Sequence, residues 1–222
     1  MSCYSQIVVD LPLRCQKLLG TLLGEAETIG CEVTFLLSLA ETSIVIPYER
    51  LKEPRRADPM KCPHCHKELG LCPKCRKELT FRPQSHPSGD RERLPEASKE
   101  MDSLKNALFI GSVLWPRKDA GSWRCATVKT PDDLDHVEEK ELTGDKRAWT
   151  VLKTIRHALA HANIFTRGDR AIEKIVFLSS RGVREWECLS VTPEDFKTFL
   201  CNWLNFVTNV RIPGGLTPDD GD

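Results

Sequence analysis

A chain of 222 residues, 40% of them hydrophobic and 29% charged, is long enough to bury a real core and too apolar to be disordered over most of its length. Its 32 basic and 32 acidic residues cancel, which excludes steering of a polyanion by the field of the whole molecule; such a partner would have to be met by a local basic patch. Residues 1–14 contain Asp10 and lack a basic region followed by an apolar run, and the stretch from Val33 to Ile46 is broken by Glu41, so neither an export signal nor a membrane span is expected and the predicted location is the cytoplasm.

Leu11, Leu18, Leu19, Leu22 and Leu23 recur at helical spacing and predict a first helix from Leu11 to Thr28, closed by Gly30. A second helix is predicted from Cys31, with Phe35, Leu36, Leu39, Ile44 and Val45 apolar. Pro47 should end it, because proline cannot continue the backbone ladder. The short connection between the two suggests an antiparallel helical hairpin.

Between Arg50 and Arg93 the composition turns to Lys, Arg, Pro, Cys and His, with twelve basic residues against six acidic ones. That segment has too few large aliphatics for a core of its own. It reads either as a solvated insertion or as a patch facing RNA. What could order it is Cys62-Pro63-His64-Cys65 followed by Cys72-Pro73-Lys74-Cys75, two knuckles that together offer four thiolates in the tetrahedral arrangement zinc prefers. A complete thiolate set leaves no position for water, so the predicted zinc is structural. The six-residue spacer is short, and His64 or His66 in place of one thiolate remains an alternative, as does a redox CxxC. Cys3, Cys15, Cys31, Cys125, Cys188 and Cys201 are scattered and read as small buried apolar residues.

Pro83 to Pro95 reads as a return linker. A third helix is predicted from Glu96 to Trp115, stopped by Pro116, then a short extended piece around Trp123 and Val128, and an acidic solvated stretch from Asp132 to Glu141. Next comes a helix with Trp149, Leu152, Ile155, Leu159 and Ala162 on its apolar face, which Gly168 and Asp169 should terminate. Ile172–Ser179 and Glu185–Val191 predict a β-hairpin. Thr192-Pro193-Glu194-Asp195 starts a last helix whose buried face is Phe196, Phe199, Leu200, Trp203 and Val207. The tail from Pro213 is predicted to be disordered.

The helix from Trp149 to Asn163 sets Arg156, His157 and His161 into an apolar run. A guanidinium offers a forked donor set for phosphate oxygens and a histidine titrates near neutrality, so the group can stabilise a crowded phosphorane and move its protons without a metal. At about 100° per residue His157 and His161 share one side of the helix, while Arg156 lies about 140° from His161. Two other readings stand beside this one: core histidines satisfied by hydrogen bonds, and an i, i+4 metal pair, although Ala158, Leu159 and Ala160 supply no glutamate base.

Arg156-His157-x-x-x-His161 resembles the Arg-polar-x3-His signature of the HEPN (higher eukaryotes and prokaryotes nucleotide-binding) superfamily. The stretches Phe35–Ala40 and Ile46–Leu51 and the hairpin after the motif are similar to small bacterial, often plasmid-encoded HEPN proteins, over roughly residues 10–50 and 95–210. The resemblance implies a mainly α fold: a HEPN-like bundle of four to five helices with a C-terminal β-hairpin and a small zinc-knuckle insertion. Residues 1–50 would be its first helical hairpin, 51–94 the basic insertion and linker, 95–210 the remainder and 211–222 a tail. It also implies a metal-independent endoribonuclease in which the RNA 2′-OH attacks the adjacent phosphate, in a toxin–antitoxin or phage-defence setting with an antitoxin protein as a further partner. His161 and His157 would move protons, Arg156 would hold the phosphorane charge and Asn163 would orient substrate. Because the chain carries one motif, the resemblance further implies a homodimer with two motifs lining one cleft, and with Trp149 and Leu152 shared between core and interface. The alternative from a different class is a module that grips RNA or a nucleotide without cutting it, with the zinc knuckle as its interaction surface.

Overall fold

A computed structural model describes residues 7–51, 70–71, 78–79, 95–169, 171–180 and 185–209. Helix α1 (Ile7–Thr28) closes where Gly30 takes a left-handed φ of 72° and Cys31 N donates to Ala26 O at 2.8 Å. Helix α2 (Glu32–Ala40) follows, as the short connection predicts. Its continuation differs from the expectation. Glu41–Val45 winds as a π-helical turn, and Pro47 lies inside the next helix, α3 (Ile46–Leu51), instead of ending α2. Proline is tolerated there because Ser43 O, the carbonyl one turn back that its missing N–H would have reached, is taken by Trp203 instead. The π turn is tied to the rest of the chain by Trp203, whose buried indole Nε1 donates to Ser43 O at 2.8 Å.

Helix α4 spans only Pro95–Ser103, not Glu96 to Trp115. The apolar spacing beyond Ser103 belongs to a compact irregular segment in which Leu104, Phe109, Leu114 and Trp115 are fully buried while Gly111 adopts a φ of 81°. Phe109 packs edge-on against Trp123 at 5.3 Å between ring centres, so aromatic packing in place of a backbone ladder orders this stretch.

The fold class is mixed α/β, which corrects the mainly α bundle. Strands β3 (Arg124–Val128), β4 (Lys140–Glu141), β5 (Ile164–Arg167), β6 (Lys174–Ser180) and β7 (Trp186–Val191) form one antiparallel sheet in the order β4-β3-β7-β6-β5. The predicted hairpin is its centre, β6 pairing β7 from Ile175↔Val191 to Ser180↔Trp186. The short extended piece expected around Trp123 and Val128 is β3, which pairs β7; β4 and β5 are too short to carry a periodic signal and pair with β3 and β6. A separate two-residue ribbon pairs β1 (Gly70–Leu71) with β2 (Glu78–Leu79).

Alternation puts Ile175, Phe177, Leu189 and Val191 on the main core with helices α5 (Ala148–Ala160) and α6 (Pro193–Thr208). Val176, Leu178 and Cys188 face the other way, onto Val128 and Leu134. Leu134 belongs to a 3₁₀ turn, Pro131–His136, capped reciprocally by Thr130 and Asp133; the acidic stretch is therefore solvated except at Glu139, which binds Arg167 at 3.0 Å and Lys174 at 2.8 Å. Burial alone would raise the Glu139 carboxyl, but the bond from Lys174 and the charges of Lys174 and Arg167 hold it below its usual range. Cys15 and Cys188 are buried as expected, burial pushing the Cys188 thiol up to about 12, whereas Cys31 is exposed. Among the described residues no helix is long and apolar enough to cross a membrane.

Candidate functional site

Helix α5 forms because Ala148, Val151, Leu152, Ile155, Ala158 and Leu159 are all buried along one face, each large aliphatic contributing roughly 1.5–3 kcal/mol of burial. Its rotation is set by a polar contact that periodicity does not reveal. Thr154 Oγ1 donates to Glu187 Oε2 at 3.1 Å, and Glu187, on β7 and 5% exposed, is also paired with Lys146. A buried carboxylate needs such partners, and here they lock helix to sheet.

The helix ends at Ala160, earlier than Gly168 and Asp169 would have it. Asn163 N donates to Ala158 O at 2.9 Å and Ala162 N to Leu159 O at 3.4 Å, the double bond pattern of a Schellman cap, with Ala162 in the left-handed position at a φ of 54°. His161 is thus the cap residue and Asn163 the first residue beyond the turn, its carbonyl accepting from Leu178 N at 3.0 Å. The β-branched and aromatic residues that follow pair with β6 and end the helix by competition. Ala162, expected on the apolar face, is exposed. Leu152 is wholly buried within its own chain, so of the two residues assigned to a shared interface only half-buried Trp149 has surface left to offer.

His157 and His161 do come together: their ring centres are 4.4 Å apart. His157 is half-buried and His161 exposed. Burial, and then the electrostatic influence of His161, Arg156 and Lys153, hold His157 below its ordinary value of 6.5. His157 is therefore neutral near pH 7 and able to accept a proton. Arg156 turns the other way, toward α3. It is ion-paired with Glu49, and its guanidinium carbon lies 5.2 Å from the centre of the Tyr48 ring, which itself stacks on Trp149 at 4.7 Å. Arg156 Nε is buried without a hydrogen-bond partner among the described residues. Burial lowers the guanidinium pKa from a value so high that the charge persists.

Tyr48 and Glu49 were not singled out as site residues in the sequence, though both lie in the Ile46–Leu51 stretch that carries part of the resemblance. Only the pairing of α3 with α5 brings them to the motif. Cys62, Cys65, Cys72 and Cys75, with His64 and His66, lie outside the described residues.

The depressed His157 pKa has a consequence for stability. The unfolded chain binds a proton at about pH 6.5 that the folded chain refuses until lower pH, so this residue's contribution is intact above 6.5 and is lost as pH falls through the window below it. By NMR, the His157 ring should titrate with a midpoint below 6.5, moving upward in His161→Ala; a midpoint at or above 6.5 in the unaltered chain would contradict the arrangement.

Comparison with known proteins follows the same line. A search of curated proteins and a search of solved structures each returned no match. A family described as HEPN pEK499 p136 matches residues 1–213, spanning both helical parts, the basic insertion and the sheet. The chain belongs to the HEPN pEK499 p136 family.

Proposed function

We propose that this protein is a metal-independent endoribonuclease that cuts RNA through attack of the 2′-OH on the adjacent phosphate. The observation that carries the reading is the approach of His157 to His161, 4.4 Å between tilted rings, near the end of the helix that also carries Arg156. A neutral imidazole next to an exposed one suits withdrawal of the 2′-OH proton and its return to the 5′-oxygen leaving group; the arginine suits the charge that builds on phosphorus between those events. Incubating the purified chain with total RNA in EDTA tests it, new ends being expected. RNA binding without new ends would instead favour a module that grips RNA and does not cut. A toxin or phage-defence role, acting as a homodimer, follows from the family expectation and is part of the same proposal.

Zinc on Cys62, Cys65, Cys72 and Cys75 belongs to the proposal as a structural element. What supports it is the sequence: two CxxC pairs six residues apart offer four thiolates, the donor set zinc prefers. One zinc per chain is expected from elemental analysis of unchelated protein. Less than about half an equivalent would sink the assignment, and Cys72→Ser should lower the content while leaving the far-UV helical signal in place.

A further inference from the structure

An arginine that is to meet a phosphate in one geometry has many rotamers to lose, and something must select among them. In this chain the selection comes from α3. Tyr48, 5% exposed, supplies a ring that is itself held against Trp149 of α5, and Glu49 supplies a carboxylate to Arg156 Nη2. The side chains of Arg156 and Glu49 are 18% and 34% exposed, so the pair sits at the protein boundary, where solvent or a ligand can reach it. The contact engages one end of the guanidinium fork, while Nε has no partner among the described residues.

We infer that Glu49 is a positioning residue for Arg156: its carboxylate, with the Tyr48 ring under the guanidinium, fixes the fork so that its solvent-facing donors meet the RNA phosphate. The inference rests on the ribonuclease reading for its activity but not for its geometry. Holding one donor pre-empts the rotamer search, and displacements of about 1 Å at such a group can cost on the order of a hundredfold in rate. A carboxylate placed instead to compete with phosphate would give the opposite result, since its removal would tighten RNA binding.

The test combines Glu49→Ala, Glu49→Asp and Glu49→Gln with Arg156→Ala as reference. Three readouts are taken: kcat and KM for RNA cleavage, anisotropy of a labelled, uncleavable 2′-O-methyl RNA oligonucleotide, and the Arg156 Nε–H signal by NMR. Glu49→Asp withdraws the acceptor by one methylene with little change in bulk, so it stands in if Glu49→Ala does not fold. Both should lower kcat about tenfold to a hundredfold, with KM and oligonucleotide affinity nearly unchanged. Glu49→Gln keeps an acceptor oxygen and should retain most of kcat. The Arg156 signal should move toward that of a free side chain in Glu49→Ala and Glu49→Asp, whether or not the chain is a nuclease. Cleavage at or above the unaltered rate in those two variants, tighter oligonucleotide binding, or an unmoved Arg156 signal would overturn the inference. If Arg156→Ala cuts RNA as fast as the unaltered chain, the ribonuclease reading fails on its own and the NMR arm still judges Glu49.

Discussion

Arg156→Ala and His161→Ala are each expected to slow RNA cleavage by about a hundredfold or more, the loss that follows when an acid–base group or the donor facing a developing oxyanion is removed. Folding should survive both changes. His161 is exposed at the helix cap, and the Glu49 side chain, already 34% exposed beside Arg156, gains water when Arg156→Ala removes the group that covers it. Products should end in 2′,3′-cyclic phosphate, and RNA carrying a 2′-deoxy sugar at the cut site should resist. Equal cutting of DNA would refute in-line attack by the 2′-OH. The same variants examine the two-chain cleft: Arg156 engages α3 while the two imidazoles lie against each other, so a second copy supplies a way to bring arginine and histidine onto one phosphate. Mixed inactive Arg156→Ala and His161→Ala chains should then regain part of the activity. A chain monomeric by light scattering at micromolar concentration, yet fully active, would rule the shared cleft out.

Trp203→Ala should cost about 3–5 kcal/mol, the range for emptying a fully buried aromatic site, and Trp203→Phe about 1–3 kcal/mol. The smaller change is the more informative. It keeps most of the ring volume but leaves Ser43 O without the indole N–H that reaches it at 2.8 Å, inside the π turn that sets the direction of α3. Denaturant midpoints at unchanged slope measure both effects. Because α3 carries Tyr48 and Glu49, Trp203→Phe should also lower cleavage by more than its loss of stability explains. Two variants within about 0.5 kcal/mol of the unaltered chain, the scatter of ordinary surface substitutions, would show that the indole bond does not hold the turn.

What could be read from the residues follows from locality. Helix α1 with its Gly30 stop, the apolar face of α5 at Leu152, Ile155 and Leu159, the β6–β7 hairpin and the Thr192-Pro193 start of α6 all depend on spacings within a few residues, and each is found. So is the approach of His157 to His161, which needs only one helical turn. Three matters were decided elsewhere in the chain. The sheet has five strands because β4 and β5, too short to declare themselves, find partners on β3, the short extended piece expected between Trp123 and Val128, and on β6. The segment after Ser103 buries its apolar residues in a compact irregular structure, since Trp115 and Trp123 offer it aromatic neighbours that a helix would have turned away from. The surroundings of Arg156 come from Tyr48 and Glu49, more than a hundred residues earlier in the sequence. Side-chain spacing along one helix states which groups share a face; which charge meets them from another helix is set by packing, because a carboxylate and a guanidinium pair wherever the fold brings them into reach.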